Sequence, residues 1–405
     1  MLREIKKPNR DHARRVMQCL VVAIRPLRVE ELAEVFAVDF EDVEGVPKLK
    51  PNWRWEDQEQ ALLASCSSLI IIVDTGDSRV VQFSHYSVKE FLTSTRLATS
   101  SQDVSRYHIA LEHAHTILAQ ACVSVLLQFP DRDEEDVIEN NAPLAKYAAE
   151  YWVRHAQFED VASRIKGVEY LFDSDKPYFA AWILLHDIDY DFYISVFPGI
   201  TLTWGSKKLA PLYYAALCGF RNVAEPLIVK HPQHVNAICG RFGTPAVAAL
   251  AGRHLELAQV LHRNGSSMDP RDSGRGNPLN CAAYVGNLEM VQVLLDYGVD
   301  VNVQNSSGIG PLARATEGLV EGCCRDPRVV RLLLDRGADP NATNSNRETP
   351  LHDASRFGRI DIARVLVEHG ARVEVKNRWR RTPVDVASGE RRNEMIKLLL
   401  EHRAK

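Results

Sequence analysis

Between residues 206 and 405, apolar and polar positions recur with a long period. Six prolines, Pro211, Pro245, Pro278, Pro311, Pro350 and Pro383, are spaced by 34, 33, 33, 39 and 33 residues. Each opens a short apolar segment, such as Ala210-Pro211-Leu212, Thr244-Pro245-Ala246, Asn277-Pro278-Leu279 or Thr349-Pro350-Leu351-His352. Sixteen residues after five of these prolines stand Leu227, Leu261, Leu294, Leu366 and Leu399; in the fourth unit Leu333 follows 22 residues on. Its six extra residues fall around 319–326, between the two helices that the unit predicts. Gly219, Gly286 and Gly358 lie eight residues after their prolines, and units close on Gly298-Val299-Asp300-Val301-Asn302, Gly337-Ala338-Asp339-Pro340-Asn341 and Gly370-Ala371-Arg372-Val373-Glu374.

The chemistry of one unit follows from these positions. Proline at the first helical position has its φ preset and gives up an N–H that has no partner there. Thr349 or Thr382 before it is placed to cap the helix. Ala215-Ala216, Ala248-Ala249, Ala282-Ala283 and Ala354-Ser355 keep the first helix thin enough for close packing. Glycine ends it in a left-handed conformation. The second helix is apolar on one face, as at Ile360, Ile362, Ala363, Val365 and Leu366. Neither helix buries that face alone, so the units must stack.

The 33-residue period, Thr349-Pro350-Leu351-His352-Asp353-Ala354 and Gly337-Ala338-Asp339-Pro340-Asn341 resemble the ankyrin repeat. The resemblance covers 206–405, as about six repeats near 206–238, 239–271, 272–304, 305–343, 344–376 and 377–405. It departs at the hairpin glycine, kept only as Gly308 and replaced by Lys208, Phe242, Arg275, Arg347 and Arg380. The first two units are degenerate, with Pro226 inside a second helix; the last has a polar outer face and reads as a cap.

Residues 1–205 carry no repeat. Apolar spacing predicts helices over Asp11–Ile24, Arg28–Val38 and Glu56–Ser67, with a polar loop holding Trp53 and Trp55 before the third. Leu69–Val73 and Arg79–Phe83 then read as strands joined by Asp74-Thr75-Gly76-Asp77-Ser78. Three helices and two strands in this order make a winged helix. Arg25-Pro26-Leu27, Glu30-Glu31-Leu32, Cys66-Ser67-Ser68-Leu69-Ile70 and Phe83-Ser84-His85-Tyr86-Ser87-Val88-Lys89-Glu90-Phe91-Leu92 resemble the winged-helix segment after the NACHT domain of fungal NOD-like (STAND) proteins. The stretch Tyr147–Ala156 is similar to that family's helical linker before its repeats. The resemblance implies a nucleotide-binding domain ahead of the winged helix. Only about ten residues precede it, and no G-x-x-x-x-G-K-[S/T] occurs; Gly205-Ser206-Lys207 is a lone glycine–lysine. No nucleotide and no cofactor are therefore expected.

Composition narrows this further. The chain has 405 residues, 45% of them apolar and 25% charged, with a net charge of −4. That excludes a disordered, collagenous or disulfide-stapled chain. The balance is uneven: 131–200 holds 15 acidic and 6 basic residues, while 341–405 holds 14 basic and 9 acidic. The run Asp131–Asp136 reads as a solvated loop. Eight scattered cysteines without a C-x-x-C pair, Cys323-Cys324 among them, predict reduced thiols in the cytoplasm or nucleus. Cys19–Ile24 and Leu69–Val73 are too short to span a membrane, and the charged start lacks the apolar core of a secretory leader.

Four chemical candidates remain. A DNA-reading third helix needs Arg or Lys, but Glu56–Ser67 carries Glu56, Asp57 and Glu59 and no base, so nucleic acid is disfavoured. His85, between Ser84 and Tyr86-Ser87, lacks a nucleophile elbow and reads as a strand-to-helix junction. Glu112-His113-Ala114-His115 lacks metal-binding spacing and reads as a polar helix surface. Lys376-Asn377-Arg378-Trp379-Arg380-Arg381 falls on a hairpin tip; either Trp379 packs on the previous repeat, or it is exposed and stacks on an acidic peptide.

The expected protein is mainly α: a winged-helix-like domain at 1–100, a helical linker domain at 101–205 and an ankyrin-repeat α-solenoid at 206–405. Its expected function is non-enzymatic capture of a protein partner by an adaptor or scaffold, without catalytic or metal-binding residues. The alternatives are the C-terminal part of a NACHT-type signalling NTPase and a nucleic-acid-associated regulator. Repeat geometry nominates Asn305, Ser307, Asn344, Asn346, Arg347, Arg378, Trp379 and Arg380 on the tips, and Tyr284, Arg314 and Arg356 on the inner helices.

Overall fold

The structure is a computed structural model and describes residues 2, 5–41, 46–66, 68–129, 142–196, 210–269, 277–305, 307–317, 327–389 and 391–403. The acidic run 131–136, Gly205-Ser206-Lys207, the insertion at 319–326 and Cys323-Cys324 lie outside the described residues. The chain divides into two compact units, one of 1–188 with 220–226 and one of 189–219 with 227–405.

The first unit opens with the winged helix. Helix α1 (Arg10–Val22) buries Ala13, Val16, Met17 and Val21, as the 3–4 spacing predicts, together with Cys19 and Val22; it ends before Ile24, which is exposed, and Leu20 is only half-buried. The second helix, α2, is shorter than expected (Val29–Val35). Strand β1 (Leu27–Arg28) precedes it, and β2 (Val38–Asp39) follows and pairs antiparallel with β3 (Lys48–Leu49). Ladder hydrogen bonds therefore take the residues that apolar spacing had assigned to the end of the helix. Helix α3 (Gln58–Cys66) leads to the hairpin of β4 (Ile70–Asp74) and β5 (Arg79–Phe83), in a sheet of order β1-β5-β4.

Two buried carboxylates hold α2 in place. Glu31 takes a bidentate pair from Arg25 at 2.7 and 2.8 Å and accepts the Arg28 N–H at 2.8 Å, closing a capping box. Glu34 meets Arg54 and accepts the Leu144 N–H at 3.0 Å, which ties α2 to the following helical region. Burial raises the Glu34 carboxyl above its ordinary pKa, against these hydrogen bonds. In that region Leu111–Leu126 packs on Ala145–Ala156, and Trp152, Phe172, Phe179 and Trp182 meet edge to face beneath them. The Trp182 indole N–H donates to the Ala149 carbonyl at 3.0 Å.

The second unit is a stack of helix pairs. Each first helix begins at the periodic proline: Pro211–Cys218, Pro245–Ala251, Pro278–Val285, Pro311–Glu317, Pro350–Arg356 and Pro383–Val386. The last four pack one on the next, as do the second helices Leu288–Asp296, Pro327–Asp335, Ile360–Glu368 and Arg392–Arg403. The first helices are buried almost throughout, because their small residues let neighbours approach closely. Pro226 stays inside Arg221–Lys230.

Polar side chains fasten each repeat to the next. Asn302 donates to the Gly337 carbonyl at 3.1 Å and accepts the Asp339 N–H at 2.9 Å. One repeat later, Asn341 donates to the Gly370 carbonyl at 3.1 Å and accepts the Arg372 N–H at 2.8 Å. The asparagine that closes a unit is thus a staple between units. His352 acts within and across repeats: its Nδ1 completes the Thr349 cap, and its Nε2 meets the Arg381 carbonyl at 3.1 Å. Asn280 reaches the Ile309 carbonyl in the same way, at 3.4 Å. Asn341→Ala removes two partly exposed hydrogen bonds without opening a core cavity, so it should lower stability by about 1–2 kcal/mol in urea unfolding. No change in the unfolding midpoint would contradict the staple.

Candidate partner-binding surface

The hairpin tips are built by one repeated device. Asn305, Asn344 and Asn377 each begin a tight turn. Asn305 Oδ1 accepts the N–H groups of Ser307 (3.0 Å) and Ile309 (2.9 Å). Asn344 Oδ1 accepts those of Asn346 (2.9 Å) and Glu348 (3.0 Å), and Asn377 Oδ1 those of Trp379 and Arg381 (both 3.0 Å). The backbone N–H of each asparagine closes onto the carbonyl four residues on, at 2.9–3.1 Å. The turn requires a left-handed residue three positions after the asparagine. Gly308 takes it at φ 73°, and Arg347 and Arg380 take it at φ 58° and 61°. The lost hairpin glycine has therefore not changed the turn; arginine adopts the same conformation, at about 1 kcal/mol of strain. Adjacent tips are also joined: Ser345 N–H donates to the Ser307 carbonyl at 3.2 Å, and Arg378 N–H to the Asn346 carbonyl at 2.8 Å.

The first helices carry a ladder of paired charges beside the tips. The Arg314 guanidinium lies 5.6 Å from the centre of the Tyr284 ring and bonds Glu317 at 2.7 Å. Arg359 donates to the Glu317 carbonyl at 3.2 Å. Arg356 bonds Asp353 at 2.9 Å and also meets Glu348, which accepts the Asn377 amide at 3.2 Å. Burial, with the Glu317 and Glu348 charges, pushes the Asp353 carboxyl up to about 7, and Arg356 opposes that rise only in part.

The nominated residues sort by exposure. Ser307, Arg347, Arg378, Trp379 and Arg380 are exposed, with Trp379 at 53%. Asn346, Arg314 and Arg356 are partly exposed. Asn305 and Asn344 are partly exposed too, but their amide oxygens are committed to closing their own turns. Tyr284 departs from its nomination as an inner-helix contact. It is buried at 8%, because the next repeat's Arg314 lies against its ring. Trp379 does not pack away on the previous repeat; its ring stands out with the Arg381 guanidinium 5.4 Å from its centre. Glu317, Glu348, Asp353 and Asn377 were not nominated. The only trace of them in the sequence is acidic residues recurring beside the proline-led helices.

The other candidates resolve into structural roles. His85 caps the helix Tyr86–Leu92, its Nδ1 2.6 Å from Ser87 Oγ and accepting the Ser87 N–H at 3.2 Å. His115 is not a plain surface residue: its Nδ1 lies 2.8 Å from Nδ1 of buried His155, whose Nε2 is 2.9 Å from the Tyr147 hydroxyl. Burial, and then His115, push the His155 imidazole down to about 3. Among the described residues no His, Cys, Asp and Glu group is placed to hold a metal ion. Nor is any helix of the described residues long and apolar enough to cross a membrane.

Comparison with known proteins agrees with this geometry. The family model described as "Ankyrin repeats (3 copies)" matches residues 212–305 and 312–405. The one described as "GPI inositol-deacylase, winged helix domain" matches residues 2–102. The chain carries a winged helix and ankyrin repeats. It is similar to azaphilone pigments biosynthesis cluster protein L of Monascus ruber, 30% identical over 274 residues, which are 64% of this chain and 56% of that protein. It is also 34% identical over 103 residues to ankyrin repeat and SAM domain-containing protein 6 of Mus musculus, covering 25% of this chain and 12% of that one. With ankyrin repeat protein nuc-2 of Neurospora crassa it shares 29% identity over 101 residues, 25% of this chain and 9% of that protein. The chain thus spans about half of the Monascus protein and a small part of the other two.

A pH effect follows from Asp353. Its folded pKa stands above the ordinary 3.8, so the native state holds this proton more tightly than the unfolded chain. The resulting stability is complete below pH 3.8 and is lost as pH rises to about 7. Asp353→Asn, which mimics the protonated form, should unfold at a higher urea concentration than the parent above pH 7, and the gap should close on acidification. A gap that is constant with pH would contradict the shifted carboxyl.

Proposed function

We propose that this chain is a non-enzymatic adaptor or scaffold that captures a protein partner on its ankyrin repeats. One observation carries the reading: the tips at 305–309, 344–348 and 377–381 are closed by the same asparagine geometry and joined to their neighbours by backbone hydrogen bonds. A surface ordered before binding loses little entropy when a partner docks. The contact set is Ser307, Asn346, Arg347, Arg378, Trp379 and Arg380 on the tips, with Arg314 and Arg356 beside them. The winged helix and the helical region after it serve as the platform.

A second reading makes the chain the winged-helix, linker and repeat segment of a NACHT-type signalling protein. The match to a winged-helix family and the partial coverage of the Monascus protein favour it. An in-frame phosphate-loop motif in the genomic sequence upstream of Met1 would support this reading, and a stop codon immediately upstream would remove it.

Cross-linking of a complex captured by the intact chain tests the first reading. Links are expected from the exposed Lys376 and Lys397 of the repeats. Links confined to Lys89 and Lys146 of the first unit would contradict it.

A further inference from the structure

We infer that the tips of the fifth and sixth repeats bind an extended, carboxylate-rich segment of a protein partner, with Trp379 as the anchor for an apolar side chain. The inference rests on the interaction-module reading and adds the chemistry of the partner. It starts from strain without an internal return. Arg347 and Arg380 occupy left-handed backbone at equivalent turn positions, where Gly308 sits without strain. Their side chains are exposed, and among the described residues no carboxylate pairs with Arg347, Arg378 or Arg380. Backbone strain retained at an exposed position is characteristic of binding sites.

The two turns also act as one surface. The hydrogen bond from Arg378 N–H to the Asn346 carbonyl sets the fifth and sixth tips side by side. Arg347, Arg378 and Arg380 thus project from adjoining rigid turns, with exposed Lys376 next to them. Two carboxylates lie near in the chain: Asp385 of the sixth repeat is engaged in capping Thr382, and Glu374, at the end of the fifth, is exposed on the approach to the tip. The Asp385 carboxyl is held below its ordinary range first by the Thr382 cap and then by the charges of Lys376 and Arg381, which places it in a positive field. Guanidinium forks match carboxylates bidentately. The Trp379 ring, flanked by the Arg381 guanidinium, offers apolar area at little entropic cost.

The patch is short. The neighbouring fourth tip presents the uncharged Ser307 and Gly308, with Glu317 on the helix that follows it, and Glu348, which closes the fifth tip, is buried and engaged by Arg356 and Asn377. A single acidic motif fits such a patch; a nucleic-acid backbone needs a longer basic track.

The test uses the full chain and three fluorescein-labelled probes: a Glu/Asp-rich peptide carrying one Phe, its Gln/Asn counterpart, and a single-stranded DNA. The acidic peptide should bind at least about tenfold more tightly than the neutral one, and more weakly as salt rises. Arg347→Gly with Arg380→Gly should weaken it about tenfold while raising the urea midpoint, so that lost binding cannot be ascribed to unfolding. Trp379→Ala should weaken it as well. Equal binding of the acidic and neutral peptides, tighter binding of DNA, or unchanged binding by the glycine variant would each overturn the inference. If partner capture then still cross-links to the repeats, the interaction-module reading survives; if it cross-links only to the first unit, that reading fails too.

Discussion

An asparagine oxygen that accepts two backbone N–H groups of its own turn is the contact on which the second unit's exposed surface depends. Without it, each hairpin between repeats would leave two donors to water and its tip without a fixed form. With it, the tips that begin at Asn305, Asn344 and Asn377 are closed by the same hydrogen bonds although their sequences differ. The staples at Asn302 and Asn341 and the cross-repeat bonds of His352 and Asn280 then fix each turn relative to the next. Neighbouring helix pairs supply the apolar burial that a single pair lacks, and the amides set the register.

Charge on this scaffold is arranged in two ways. On the first helices, Arg314, Arg356, Glu317 and Asp353, with Glu348 at the end of the fifth tip, satisfy one another, and burial beside these carboxylates raises the Asp353 carboxyl. On the tips, arginines stand where glycine would be unstrained and have no carboxylate pairing with them among the described residues. The first arrangement belongs to the stability of the stack. The second leaves positive charge available to a partner, and this is the physical basis for assigning recognition to the tips.

Much of the fold was legible in the sequence because its signals are local. Periodic prolines marked helix starts, and the three glycines eight residues on marked first-helix ends; Gly219 and Gly286 are left-handed caps. Short apolar runs on either side of a turn-forming segment, Asp74–Ser78, marked β4 and β5. The contacts that were missed are non-local. Pairing of Val38–Asp39 with Lys48–Leu49 cut α2 short, and no local pattern announces a two-residue ladder. Tyr284 looked like a surface residue because its burial comes from a side chain of the next repeat, 30 residues on. The roles of Asn305 and Asn344 were hidden in the same way: an asparagine in a turn reads equally as a ligand contact or as the group that closes the turn. The exposure of Trp379 separated two readings that the sequence alone left open.

Native-state amide hydrogen exchange on the intact chain tests the claim that the tips are rigid before any partner arrives. The account predicts that the N–H groups of Ser345 and Arg378, which bridge adjacent tips, exchange slowly. It also predicts that those of Ile309, Glu348 and Arg381, which point at the asparagine oxygens, share this protection, and that Asn377→Ala removes it from Arg381 while leaving Ile309 protected. Exchange of these amides at the rate of an unstructured chain, in the parent protein, would contradict it.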